Sequence, residues 1–167
     1  MIPSLLSIHV LAALAMLQSA ILSRIPLLQG TADLVLLAII AWSLHDRVET
    51  GWFWAVVGGM IMALVSGMPF GVYLTGYLLT TLAAMLLKRT VWKIPILAML
   101  LMVFIGTLLT QGLSVVALII TGTPLPLLDT VNLIILPSLL LNLLLSIPAY
   151  ILVGDFANWT HPLEIEV

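Results

Sequence analysis

Read for its alternation of apolar and polar positions, the chain is a series of apolar runs interrupted by short polar breaks. The first run covers about residues 5–22, the second about 32–44, the third about 52–66 and the fourth about 71–87. A fifth spans about 94–121 and a sixth about 130–153. None alternates in the two-residue manner of a membrane barrel strand, and the run from Ile94 to Ile120 exceeds the ~20 residues that cross hydrocarbon as a helix. The pattern predicts a compact all-α bundle of about six transmembrane helices. Residues 1–153 form its membrane domain and 154–167 a short tail. The second and third runs, of 13 and 15 residues, reach only about 20–22 Å at 1.5 Å per residue. They are the weak spans, and a re-entrant path is the alternative for both.

Within this pattern Ala55, Gly59, Ala63 and Gly67 recur every fourth residue, and Gly76, Thr80 and Ala84 repeat the spacing beyond the turn Ser66-Gly67-Met68-Pro69-Phe70-Gly71. Small side chains on one helix face let backbones approach closely, which is how helices associate in lipid. The two stripes therefore predict a tightly packed antiparallel hairpin. Any part left over, Gly71 at the turn included, is a candidate partner surface.

Thr31 can cap the second helix, Asp33 suits its positive end, and Asp129 can cap the sixth. A pair of carboxylates on one side suggests an intramembrane aspartyl protease, but helix capping is the simpler account, and Leu152 stands where a Gly-x-Gly-Asp motif needs glycine. Gln111 and Asn142 lie mid-helix and must face protein or a polar cavity. They serve interhelical hydrogen bonding or line a small-molecule site. Pro137 and Pro148 free the carbonyls of Leu133 and Leu144 and predict a kink. Gly154 is a natural stop.

Composition sharpens the class. The 167 residues are 63% hydrophobic and 7% charged, against about a quarter charged in a soluble domain, and mean hydropathy is +1.30. With a net charge of −2 and no basic stripe, nothing points to nucleic acid. Cysteine is absent, and His9, His45 and His161 share no ligand spacing, so no metal site and no cofactor is expected. No nucleophile motif stands out, and an enzyme is not expected. No Lys or Arg precedes Arg24, so the first run reads as a retained span rather than a cleaved signal. Six spans place Arg47, Lys88, Arg89 and Lys93 on one face and Arg24 on the other, which makes both termini cytoplasmic. Lys88–Lys93 with Trp92 reads as an interface anchor that attracts anionic lipid.

The stretch from Asp33 to Trp42, then Gly58-Gly59 and Leu64-Val65-Ser66-Gly67-Met68-Pro69-Phe70-Gly71, resembles the MreD family of rod shape-determining bacterial membrane proteins. The likeness extends through Tyr77 and returns at Asn142 and Pro148, covering roughly residues 30–153. It departs at Ala63, where many relatives carry aspartate, at Ala32, where proline is usual, and at Glu164 and Glu166, where relatives are commonly basic. The resemblance implies a multi-pass protein of the bacterial inner membrane that makes no bond itself. It would bind MreC and through it join RodA, its class B penicillin-binding protein and MreB in the peptidoglycan-synthesising elongation complex. The rival reading is the substrate-binding subunit of an ECF-type vitamin or metal transporter, which needs a ligand cavity with convergent polar groups.

Overall fold

A computed structural model describes residues 2–20, 29–46, 48–88 and 94–160, with side chains from Ser7 onward. Arg24, Arg47, Arg89, Trp92, Lys93, His161, Glu164 and Glu166 lie outside the described residues, and with them most of the charge pattern used above. The described chain is helical: α1 Ile2–Ala20, α2 Leu34–Leu44, α3 Gly51–Val65, α4 Gly71–Lys88, α5 Pro95–Ile120, α6 Leu127–Thr130 and α7 Leu136–Thr160. A π-helical turn, Val131–Ile135, joins α6 to α7 in one continuous rod. This rod (Leu127–Thr160), α4 and α5 are long and apolar enough to cross a membrane; α2, α3 and the part of α1 from Ser7 to Ala20 are shorter apolar stretches.

The shortest of these, α2, is the axis of the molecule. At 11 residues it is only about 16 Å long. Every residue from Val35 to Leu44 is buried. A helix apolar on all sides belongs in an interior, and α2 touches α1, α3, α4, α5 and α7. Around it run the neighbouring pairs α1–α3, α3–α4, α4–α5 and α5–α7. The expected weak span is therefore a central pillar walled by its own chain. Packed on its sides by these helices, it needs no lipid-facing surface of its own. Between α1 and α7 the wall thins to an apolar cavity of about 230 Å³ lined by Leu14, Leu17, Leu34, Ala38, Leu145, Pro148, Ala149, Leu152 and Val153.

The hairpin of α3 and α4 forms, but its two stripes do not face each other. A Cβ built on Gly59 would lie 2.8 Å from the Leu74 Cα, so this glycine sets the α3–α4 distance. Gly76 instead faces α5, where a Cβ built on it would lie 3.1 Å from Thr110 Oγ1, and a Cβ on Gly106 would meet the Thr80 methyl at 2.6 Å. Stripe two packs α4 on α5. Ala55, Gly59, Ala63, Gly76, Thr80 and Ala84 are all buried inside the chain, while Gly71 is exposed. Gly67 has left the helix: its φ of +67° sits just past the end of α3, where glycine is favoured.

Of the two residues placed at the start of α2, Asp33 and not Thr31 is the N-cap. Two other local expectations change. Asp129 caps nothing; it lies exposed in the first turn of α6, whose N-cap is Pro126. The last helix passes through Gly154 to Thr160, because tertiary packing outweighs the ~1 kcal/mol that glycine costs in a helix. Ala157 is fully buried, and the Phe156 ring lies 5.8 Å from Trp42 and 6.3 Å from Trp54.

Candidate functional site

The polar groups of this apolar chain converge where the non-helical stretch 29–33 leads into α2. Such a stretch offers backbone N–H groups that no helix satisfies, and burial makes each costly unless paired. Their partners come largely from one helix. Gln29 N–H donates to the Leu133 carbonyl at 3.0 Å, an acceptor released because Pro137, four residues on, has no N–H. Thr31 N–H donates to Ser138 Oγ at 3.0 Å. Asp33 N–H donates to Asn142 Oδ1 at 2.7 Å.

The match is geometric. Alternate residues of a non-helical strand point the same way and lie about 6.6 Å apart. Steps of four to five residues along a helix cover about 6–7.5 Å. Thus residues 29, 31 and 33 fall in step with 133, 138 and 142. Gly30 permits the approach: a Cβ there would lie 2.6 Å from both Pro137 Cβ and Ser138 N.

The first turn of α2 is closed by side chains. Leu34 N–H donates to Gln18 Oε1 of α1 at 2.9 Å, and Leu36 N–H to Asp33 Oδ1 at 3.0 Å. Tyr77 of α4, fully buried, donates its hydroxyl to the Asp33 carboxylate, 2.8 Å from Oδ1 and 2.7 Å from Oδ2. Asn142 Nδ2 donates onward to Thr107 Oγ1 of α5 at 3.0 Å. Five helices are tied to one point. Beside it lies a polar cavity of about 30 Å³ lined by Gln18, Thr31, Asp33, Leu36, Tyr73, Thr107, Thr110, Gln111 and Asn142. That is room for about two waters, whereas organic ligands occupy about 300–1,000 Å³.

The far end of α2 is held separately. Lys88 Nζ donates to the carbonyls of His45 at 2.6 Å and Val48 at 2.9 Å, which places a cation at the negative end of the helix. Trp42 stacks on Trp54 with centroids 4.2 Å apart and donates Nε1–H to Thr50 Oγ1 at 3.2 Å.

Of the polar residues marked in the sequence, Asp33, Gln111 and Asn142 meet at the cavity. Asp129 does not line it, and Pro148 faces the apolar cavity instead. Tyr77 enters the sequence reading only through the family likeness, and Gln18, Thr107 and Ser138 have no role in it. For Ser138 a signal existed: Ser138, Asn142 and Ser146 recur every fourth residue in α7, a polar stripe on one face. Among the described residues no group of three His, Cys, Asp or Glu side chains could hold a metal ion. Comparison with protein-family models, curated proteins and solved structures finds no match for the chain.

Proposed function

We propose that this chain is a non-catalytic membrane scaffold of the bacterial cell-elongation machinery, of the MreD kind. It crosses the inner membrane six times with both termini in the cytoplasm. It binds MreC and through it joins RodA, its class B penicillin-binding protein and MreB. One observation carries the reading: Asp33, Gln18, Ser138 and Asn142 are engaged with the backbone of α2 or the residues leading into it. Side chains that could have served chemistry serve assembly. A membrane enzyme places ionisable groups free to act inside or at the mouth of its bundle, and the Asp33 carboxylate here already receives Leu36 and Tyr77.

The outer faces suit such a role. Leu97, Leu101, Phe104 and Leu108 on α5 are exposed, as are Leu140, Leu144, Ile147 and Ile151 on α7, an apolar exterior fit for lipid and for a partner's membrane helix. Since the small-residue stripes, apart from Gly67 at the turn, are already buried within the chain, the partner contact belongs on these outer ridges. The rival transporter subunit needs a cavity that encloses a vitamin among convergent polar groups; the polar cavity at Asp33 holds about 30 Å³, the one of about 230 Å³ is lined by apolar side chains, and one of about 390 Å³ lies at the opposite end of α2 beside Asp46, Glu49 and Lys88.

Affinity capture from native membranes, with identification of the proteins and small molecules that come along, tests the reading. Recovery of MreC with RodA and its penicillin-binding partner is expected. Recovery of a pair of ATPases with a retained vitamin would replace the scaffold by a transporter subunit.

A further inference from the structure

We propose that the exposed ridge of the Leu127–Thr160 rod is the docking surface for one membrane-spanning helix of a partner chain, apolar along its length and basic at its cytoplasmic end. The proposal rests on the scaffold reading for its orientation, and it names the one ridge and the kind of segment that reading leaves open. The ridge exists because of the π turn. In an α-helix Asn132 would stand one turn before Leu136. Here the Leu136 N–H donates to the Val131 carbonyl, a bond closed over five residues instead of four, so Val131 takes that place. The Val131 N–H in turn reaches the Leu127 carbonyl. Leu127, Val131, Leu136, Leu140 and Leu144 thereby fall into one exposed apolar row, the kind of ridge that packs into the groove of a neighbouring helix. Ile147 and Ile151, both exposed, continue the face. Single π turns inside long helices are rare and occur frequently at functional sites.

Length and charge select the occupant. From Leu127 to Ile151 the ridge runs about 36 Å at 1.5 Å per residue, more than the ~30 Å of hydrocarbon. A segment that covers it crosses the whole membrane, and only a helix does so with its own backbone satisfied. Beyond Ile151 the same face carries Asp155, which is exposed. Trp159, exposed one turn further on, stands where tryptophan meets the headgroups. The rod from Leu127 to Thr160 contains no Lys, Arg or His, so this carboxylate has no cation on its own helix. Anionic lipids of the cytoplasmic leaflet are repelled by it. A membrane helix, by contrast, carries Lys or Arg at its cytoplasmic flank, which matches Asp155 in sign and in depth. A second copy of this chain does not match: two parallel rods packed ridge to ridge would set Asp155 against Asp155.

The test is photo-crosslinking of the full chain in native membranes, with p-benzoylphenylalanine placed at Val131, at Leu140 and, as a control, at the similarly exposed Leu82 of α4. Val131 and Leu140 should give adducts that map by mass spectrometry to one spanning helix with Lys or Arg at its cytoplasmic end, and Leu82 should not. Asp155→Lys should lower recovery of that partner about five- to ten-fold and leave the Tm of the purified protein unchanged. Changing the mapped basic residue of the partner to Glu should restore recovery with Asp155→Lys, which a merely structural role of Asp155 would not allow. Adducts with lipid alone, adducts at twice the mass of this chain, equal yields from Leu82, or undiminished recovery with Asp155→Lys would each overturn the proposal. Capture of the elongation proteins with adducts confined to α4 would reject this ridge and leave the scaffold reading standing. Adducts on the ridge that map to a helix from outside that machinery would uphold the ridge and reject the scaffold reading.

Discussion

Replacing Asn142 by leucine removes a side chain that is 1% exposed and joins α7 to two other elements. The amide accepts from Asp33 N–H at 2.7 Å and donates to Thr107 Oγ1 at 3.0 Å. Leucine is close in volume, so neither a large cavity nor severe overpacking confuses the result. The two losses are unequal. Thr107 Oγ1 only accepts in this bond, so losing the Asn142 donor leaves an unused hydroxyl lone pair and no orphaned proton. Asp33 N–H is backbone at the first residue of a helix start and is left a donor without an acceptor. Leaving such a buried donor unpaired costs about 1–3 kcal/mol, whereas an average interhelical hydrogen bond in a membrane protein is worth about 0.6 kcal/mol. Asn142→Leu should therefore cost about 2 kcal/mol, and Thr107→Val, which frees one N–H of an Asn142 amide whose Oδ1 still holds Asp33, about 1 kcal/mol. The double variant should be no worse than Asn142→Leu alone, because both act on one bond. Equilibrium unfolding in mixed micelles with increasing SDS measures the three, and amide exchange at Asp33 reports the lost partner directly. A cost for Asn142→Leu no larger than for Thr107→Val would refute the claim that this amide holds the start of α2.

Two further substitutions probe other joints. Gly59→Leu drives a side chain into the α4 backbone, 2.8 Å from Leu74 Cα. A loss of more than about 2 kcal/mol is expected from overpacking, while Gly112→Ala, with nothing within 4 Å, should be neutral or slightly stabilising in the same melt. Lys88→Met releases the carbonyls of His45 and Val48. Because Lys88 is only half-buried, water recovers part of the loss, and about 1–2 kcal/mol is expected. Limited proteolysis between residues 44 and 50 should accelerate, and an unchanged cleavage rate would show that this lysine does not hold the α2–α3 connection.

The helical class, the apolar runs, the packing role of Gly59 and the capping role of Asp33 follow from residue type and spacing alone. Hydrophobicity and four-residue periodicity are local properties, so they can be read along a chain without knowing what lies across from it. The centrality of α2 was half visible: Leu34–Leu44 is short and apolar on every side, the mark of a buried helix, yet a chain this oily makes the same run look like a membrane span. What faces what was not visible. Gly76 could have met α3 as readily as α5 by spacing, and only the assembled bundle sets it against Thr110. Likewise Pro137 announced a free carbonyl at Leu133, but not that Gln29, more than a hundred residues earlier, would fill it. Gly154 signalled a stop that the docking of Phe156 on Trp42 overrules. By itself the sequence determined which segments are helices and which residues could not be left unpartnered. The tertiary structure decided their partners, because a hydrogen bond or a close approach between distant segments is a property of two surfaces, and each stretch of sequence encodes only one.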